Sequence, residues 1–242
     1  MLNKEKHNFT MVHILKDIYS DVEIASLLGF KGGTAAYLFY DLPRFSVDLD
    51  FDLLEPNQAN RDLLFQKIEK ILLKYGKIKD SQNKSFTIFF ALSYGVGEHQ
   101  IKVEINTRKT GATYQVLNYL GISMLVADQK SMLGGKLVAL AGRKKFAMRD
   151  VFDVHFFIKQ GWDISSEVLL AYEIYSLADY LEKCITLVEQ ITADQLLAGL
   201  GELLDAKQKD WVKAHLKEDA LFLLRLRLDN EQRSLKASRN QQ

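Results

Sequence analysis

Residues 44 to 54, RFSVDLDFDLL, constrain the fold of this chain more than any other segment, because acidic and apolar residues alternate there with period two. In a β-strand, side chains at i, i+2 and i+4 share one face. Asp48, Asp50 and Asp52 therefore line one face of a predicted strand, while the apolar residues between them enter a core. Carboxylates this close repel one another unless cations neutralise them. The pattern indicates either a metal-binding face or the solvated outer face of an edge strand.

The rest of the chain changes character near residue 128. Before it, three further segments have the composition or alternation of strands, namely residues 85–94, 99–108 and 122–128. Helical patterns precede them at residues 9–19 and 31–43, and helical periodicity dominates from residue 129 to about residue 228. We therefore predict an α+β protein with a mixed β-sheet and flanking helices, followed by a C-terminal helical bundle. The predicted domains are residues 1–127 and residues 128–242.

Composition excludes several classes of function. The 242 residues are 48% hydrophobic, enough to bury one large core or two small ones, and the net charge of +1 gives no bulk attraction to nucleic acid or membrane. Cys184, the single cysteine, excludes an internal disulfide and a multi-cysteine zinc site. We find neither a secretory signal pattern nor an apolar stretch of the roughly 18 residues that a membrane helix needs. We expect a cytoplasmic protein that does not bind membranes.

A glycine turn stands about a dozen residues before the aspartate strand. The backbone N–H groups of Gly32, Gly33 and Thr34 are suited to hold a phosphate at the start of the helix that follows. The turn lacks the GK[ST] ending of a P-loop, and an EF-hand is excluded because leucine and alanine stand where that loop needs glycine and glutamate. A lone Gly-Gly pair is usually a simple turn, but next to Asp48-x-Asp50 it indicates a phosphate and metal site.

Two blocks of sequence resemble the AbiEii/AbiGii toxin family of nucleotidyltransferases, which is related to the DNA polymerase β superfamily. The first is KGGTAAYLFYDLPRFSVDLDFDL, similar to the family's KGGTxL and PRxSxDLDF motifs. The second is GGKLVALAGRKKFAMRDVFDVHFF, similar to a later block that ends in RDxxDxxxL. With the strands between them, the blocks cover roughly residues 24 to 160, and the remaining helical part carries no matching motif.

The resemblance implies roles for the residues of the first block. Asp48 and Asp50 would bind one or two Mg²⁺ ions, Gly32 and Gly33 would contact the triphosphate, and Ser46 would lie near it. Phosphoryl-transfer chemistry leads to the same assignment for the aspartates, because two metal ions activate the attacking hydroxyl and neutralise the leaving pyrophosphate.

Glu104 is the candidate for a third metal-binding carboxylate, because superfamily members usually supply one from a neighbouring strand and Glu104 lies on the polar face of an alternating strand. The alternative is an ordinary exposed carboxylate. Asp52 matches no required family position, and we expect it to support the metal ligands from behind or to be solvated.

In the second block, the resemblance implies that Lys136 reaches a phosphate and that Asp150 serves as base or third ligand, both contributed by the helical domain. The structural alternatives are a solvated lysine, and an Asp150–Asp153 pair favoured by the helix dipole. Basic residues cluster around the predicted site, where they would neutralise nucleotide phosphates or hold an RNA backbone: Lys31, Arg44, Arg143, Lys144, Lys145 and Arg149.

These residues together predict a magnesium-dependent nucleotidyltransferase that transfers a nucleoside monophosphate from a nucleoside triphosphate to an acceptor hydroxyl. The resemblance implies the toxin of a toxin–antitoxin pair, with an antitoxin protein as partner and an RNA such as tRNA as a candidate acceptor. Two alternatives stay open: a kinase-like transfer of the γ-phosphoryl group on the same fold, and a non-catalytic nucleotide-binding or partner-binding module.

Overall fold

The computed structural model describes residues 2–143 and 146–239, so Lys144 and Lys145 of the basic cluster lie outside the described residues. The chain forms two compact units, Met1–Asp128 and Gln129–Gln242. The first unit contains the helices α1 (Lys4–Ser20), α2 (Gly32–Phe39) and α3 (Gln58–Leu72). Its strands are β1 (Leu28–Lys31), β2 (Asp48–Leu53), β3 (Lys77–Lys84), β4 (Thr87–Ser93), β5 (Ile101–Asn106), β6 (Tyr114–Tyr119) and β7 (Ile122–Ala127).

The seven strands form one mixed sheet in the order β3-β4-β5-β2-β1-β7-β6. β2 runs parallel to β5 and antiparallel to β1, and β1 runs parallel to β7. The outermost pair of strands at each end of the sheet, β3–β4 and β6–β7, is an antiparallel hairpin. The aspartate strand therefore lies in the middle of the sheet, which excludes the edge-strand interpretation of its alternation.

Burial follows the period-two pattern of the central strands. Leu49 and Phe51 of β2 and Val103 and Ile105 of β5 are fully buried, as apolar side chains on one face of a sheet must be to contribute to a core. α1 and α3 pack with the sheet; the ring of Phe65 on α3, for example, lies 4.9 Å from the ring of Phe90 on β4. The opposite face of β2 is left for polar side chains.

The second unit is entirely helical among the residues that the structure describes. It contains α4 (Gln129–Gly142), α5 (Met148–Lys159), α6 (Ser166–Ala171), α7 (Leu177–Glu189), α8 (Ala206–Trp211) and α9 (Lys217–Arg239), with a π-helical turn at Val212–Leu216 before α9. α5 supplies much of its core through Val151, Val154 and Phe157, which are at most 1% exposed. Within residues 2–143 and 146–239, no helix has both the length and the apolar character needed to cross a membrane.

The predicted fold class, a mixed sheet with flanking helices followed by a helical part, is confirmed. Sequence patterns missed four elements: β1, β3, β6 and α3. β3 has the sequence KIKDSQNK, a polar edge strand without a buried face to produce alternation, and its burial pattern is almost entirely exposed. β1 has only four residues, too few for a periodic signal.

Candidate active site

The register of the central strands brings three carboxylates to one face. Asp50 on β2 is paired with Glu104 on β5, and Asp48 is paired with Lys102. Paired residues on neighbouring strands share a face and lie roughly 5 Å apart. Glu104 therefore lies beside Asp50, on the polar face of β5 that the alternation predicted. Glu104 is exposed, and Asp48 and Asp50 are half-buried.

Gly32 allows the backbone at the start of α2 to lie close to Asp50, one of the predicted metal ligands. It has φ +80°, and a Cβ atom built there would lie 2.4 Å from Oδ2 of Asp50. Only glycine adopts this left-handed conformation without strain and leaves this space. This close approach places the first turn of α2 beside the Asp50 carboxylate. The N–H groups of that turn have no partner within the helix.

The next two residues of the turn contact the segment that leads into β2. A Cβ atom on Gly33 would lie 2.8 Å from Oγ of Ser46 and 2.7 Å from Nη2 of Arg44, so these groups surround it closely. Arg44 is only 3% exposed, and its Nη1 donates to the carbonyl of Phe45 at 3.0 Å. The hydroxyl of Thr34 donates to the carbonyl of Asp48 at 2.5 Å. The nucleotide-binding candidates of the first block thus form one cluster.

The oxygen donors on this face are of the kind that Mg²⁺ takes. Among the described residues, no group of three or more His, Cys, Asp or Glu side chains is arranged closely enough to hold a metal ion alone. Mg²⁺ is usually bound by one or two carboxylates together with substrate phosphates and water rather than by a complete protein cage. Asp48 and Asp50, beside the turn that the sequence predicts to bind phosphate, therefore fit the ion.

Of the two alternatives for Asp52, support of the metal ligands or solvation, the structure excludes solvation. It is 3% exposed and accepts hydrogen bonds from several groups. Nζ of Lys31 lies 2.6 Å from Oδ1, Nδ2 of Asn106 lies 2.7 Å from Oδ1, and Oγ1 of Thr110 lies 3.1 Å from Oδ2. The hydroxyl of Tyr114 also donates to Oδ2. A carboxylate can be buried at this depth because its charge is paired and its oxygens are satisfied.

The space for the Tyr114 ring comes from Gly29 on β1, which is paired with Asp52. A Cβ atom on Gly29 would lie 2.2 Å from a ring carbon of Tyr114. The alternation of β5 placed Asn106 on a polar face, but its pairing with Asp52 follows from the register of β2 and β5. Tyr114 could not be connected with Asp52 from the sequence, because it lies on β6, a strand without a clear pattern.

The residues of the second block meet within the helical unit. Nζ of Lys136 on α4 lies 3.0 Å from Oδ1 of Asp150 and 2.7 Å from Oδ2 of Asp153, both on α5. Nε of Arg143 lies 3.2 Å from Oδ2 of Asp150. The two aspartate side chains are at most 1% exposed and that of Lys136 is 12% exposed. This arrangement replaces the solvated-lysine alternative with a buried ion cluster, in which Asp153 is a partner that the sequence did not pair with Lys136.

A mixed sheet that aligns carboxylates beside a glycine turn at a helix start defines the nucleotidyltransferase class. The sequence profile of the family described as "Nucleotidyl transferase AbiEii toxin, Type IV TA system" matches residues 13–229, and the chain belongs to this family. It is therefore a nucleotidyltransferase of a family of toxins from toxin–antitoxin systems, and the resemblance seen in the sequence is confirmed. No curated protein matches the chain.

Solved structures share the fold at low sequence identity. A candidate nucleotidyltransferase from Helicobacter pylori is 21% identical with a TM-score of 0.59, over 95% of this chain and 96% of that one. JHP933 from Helicobacter pylori is 23% identical with a TM-score of 0.55, over 99% and 100%. MenT4, a nucleotidyltransferase toxin from Mycobacterium tuberculosis, is 16% identical with a TM-score of 0.57, over 95% and 86%.

Proposed function

We propose that this protein is a magnesium-dependent toxin that transfers a nucleoside monophosphate from a nucleoside triphosphate to a hydroxyl group of an RNA, such as a tRNA. The observation that carries the proposal is the pairing of Asp50 with Glu104 on one sheet face, directly beside the turn at Gly32. Metal ligands and a phosphate-binding turn are the two parts that nucleotidyl transfer needs in one place.

The triphosphate would bind the first turn of α2. The N–H groups of Gly32, Gly33 and Thr34 stand at the start of this helix, where the helix dipole favours negative charge. The guanidinium of Arg44 and the hydroxyl of Ser46 lie around Gly33 and add a cation and a further hydrogen-bond donor. Arg44 is nearly buried, so little water would compete with its contact to a phosphate.

Asp48 and Asp50 would hold Mg²⁺, with Glu104 as the third carboxylate. When bound, the metal supplies a Lewis acid that lowers the pKa of the attacking hydroxyl and neutralises charge on the phosphates. Glu104 is the most exposed of the three, which suits a group that also accepts the proton of the acceptor hydroxyl.

Lys136 and Asp150 extend the proposal, because they match the family's second motif. The ammonium of Lys136 is shared by two buried carboxylates, so it would bind a phosphate by exchanging one of them for it. Oδ2 of Asp150 accepts no hydrogen bond from the part of the chain that the structure describes, and its ion pair with Nε of Arg143 spans 3.2 Å, so a proton or a metal would compete with Arg143 for this oxygen.

The family's place in toxin–antitoxin systems supports a cognate antitoxin protein as the partner. A toxin that modifies RNA would be lethal unless the host restrains it. Co-expression with a cognate antitoxin protein should therefore restore growth of cells that express this chain.

The proposal is tested by incubating the protein with total tRNA, Mg²⁺ and each of the four α-³²P-labelled nucleoside triphosphates. The wild-type protein should label RNA with one preferred nucleotide and release pyrophosphate, and the Asp48→Ala, Asp50→Ala double variant should not. A parallel assay with a γ-labelled triphosphate distinguishes nucleotidyl transfer from the kinase-like alternative. The kinase-like reaction would transfer the γ-label and release a nucleoside diphosphate.

Two results would count against the proposal. Saturable binding of nucleotide without transfer to any RNA would indicate another acceptor or a binding role. Absence of Mg²⁺-dependent nucleotide binding would contradict the metal assignment of Asp48 and Asp50 itself.

A further inference from the structure

We propose that Asp52 is a positioning residue, which holds the ammonium of Lys31 where it binds the triphosphate of the nucleotide. This inference rests on the proposed function, because it assumes that the nucleotide lies at the turn of Gly32 and Gly33. It adds a second cation to that site and assigns a task to the third aspartate of β2, which no family motif requires.

Lys31 is placed at the site by its position in the chain. It is the last residue of β1, the N-cap of α2, and the residue directly before Gly32. On the sheet it is paired with Asp50. Its ammonium contacts Asp52 on the same face of the sheet as the proposed metal ligands, and its backbone directly precedes the proposed phosphate turn.

Groups other than Lys31 already fix the orientation of the Asp52 carboxylate. Asn106 on β5, Thr110 in the following loop and Tyr114 on β6 all donate to its carboxylate. Burial, together with the neighbouring charge of Asp52, raises the pKa of the Tyr114 hydroxyl, which therefore stays protonated and acts as a donor. Three donors from three segments leave the carboxylate a single orientation.

The ion pair is open on the lysine side. The side chain of Lys31 is 28% exposed, whereas that of Asp52 is 4% exposed. An ammonium group has three N–H donors, and Asp52 accepts one of them. The carboxylate is thus enclosed while part of the lysine side chain is accessible to solvent, as a lysine that binds a ligand while paired with a buried carboxylate must be.

The test measures nucleotide binding by calorimetry on the full chain with MgCl₂, using ATP, GTP, CTP and UTP and their monophosphates. For the triphosphate that the wild-type protein binds, Lys31→Met should raise the Kd about tenfold, the usual effect of losing one charged contact. Asp52→Asn keeps the shape of the side chain and should raise it several-fold. Binding of the monophosphate should change little in both variants.

The double variant shows whether Asp52 acts through Lys31. If it does, Lys31→Met and Asp52→Asn together should bind the triphosphate no more weakly than Lys31→Met alone. Lys79→Met, on the exposed edge strand β3, is the matched control for loss of a lysine charge and should bind as the wild type does. Thermal denaturation of every variant separates loss of folding from loss of binding.

Two outcomes overturn the inference. If Lys31→Met binds the triphosphate as tightly as the wild type, Lys31 is not a ligand, and this result does not depend on whether Asp52→Asn folds. If Asp52→Asn weakens binding equally in the presence and absence of Lys31, Asp52 does not act through the lysine. A wild-type protein that binds no triphosphate would instead contradict the proposed function.

Discussion

The two ends of β2 carry the same residue type in opposite environments. Asp48 and Asp50 are half-buried and lie at the end next to the glycine turn, with Glu104 paired to Asp50. Asp52, two residues further along the same face, is 3% exposed and pairs with Lys31, Asn106, Thr110 and Tyr114. One end is suited to hold a cation that comes with a substrate, while the other already holds a cation of the protein.

Period-two spacing decides which face a side chain occupies but not what covers that face. Gly29 leaves room for the Tyr114 ring over one end of β2, while Gly32 brings backbone against the other end. The two glycines thus separate a carboxylate that holds a cation of the protein from the carboxylates to which we assign metal binding.

The largest effect is expected from removing the charge of Asp48 or Asp50. Asp48→Asn and Asp50→Asn should each lower nucleotidyl transfer on the order of a thousandfold, as the loss of a key electrostatic group does, with little change in melting temperature. Steady-state transfer of labelled nucleotide and a thermal melt check this. Asp80→Asn on the exposed edge strand is the matched control, and activity within a few-fold of wild type in both site variants would remove the distinction.

The helical unit also contains buried carboxylates that share a cation of the protein, and Lys136 is that cation. Replacing it shows how much this ion cluster contributes to stability. Lys136→Met leaves Asp150 and Asp153 buried without that cation, and the free energy of unfolding should fall by about 3–5 kcal/mol. Urea denaturation measures it, with the exposed Lys207→Met as control. Adding Asp153→Asn should recover part of the loss, and strict additivity would show that the 2.7 Å contact contributes no coupling.

Asp52→Ala should lower the free energy of unfolding by about 3 kcal/mol, because it leaves the Lys31 ammonium and three buried donors without their shared acceptor. The Lys31→Met, Asp52→Ala double variant should lose less than the sum of the single variants. Urea denaturation again gives the values. A loss under roughly 0.5 kcal/mol, the range of ordinary surface substitutions, would place Asp52 in the same class as an exposed residue.

The smallest change in stability is expected at two glycines that form a matched pair, Gly32 and Gly121. Their φ angles are +80° and +81°, but a Cβ atom on Gly121 would meet nothing within 4 Å. Both alanine variants should lose roughly 1–2 kcal/mol of stability through backbone strain. Only Gly32→Ala should also lose nucleotidyl transfer, since its methyl group would displace Asp50. Equal activity in the two variants would show that the approach of the turn to Asp50 is not needed.

The sequence predicted those parts of the site that local periodicity determines. Alternation placed Asp48, Asp50 and Glu104 on polar faces, and the glycine pair marked the start of α2. The pairing of Asp50 with Glu104 follows from the parallel register of β2 and β5, which no local pattern contains, since the two residues are more than 50 positions apart in the chain. The motif resemblance, rather than periodicity, led to Lys136 and Asp150.

Long-range contacts account for what the sequence did not predict. The burial of Asp52 depends on Tyr114 from β6 and on the absence of a side chain at Gly29. The contact of Lys136 with Asp153 depends on how α4 and α5 pack, although the i, i+3 spacing of Asp150 and Asp153 places both on one side of α5. Both clusters are decided by tertiary packing, which a single sequence does not show.

The difference between Asp50 and Asp52 is tested by comparing Asp50→Asn with Asp52→Asn in single-turnover transfer of an α-labelled nucleotide, at saturating nucleoside triphosphate and Mg²⁺. We predict that Asp50→Asn loses transfer on the order of a thousandfold, while Asp52→Asn stays within about tenfold of the wild-type rate once saturated. Equal losses in the two folded variants, or full activity in Asp50→Asn, would contradict this prediction.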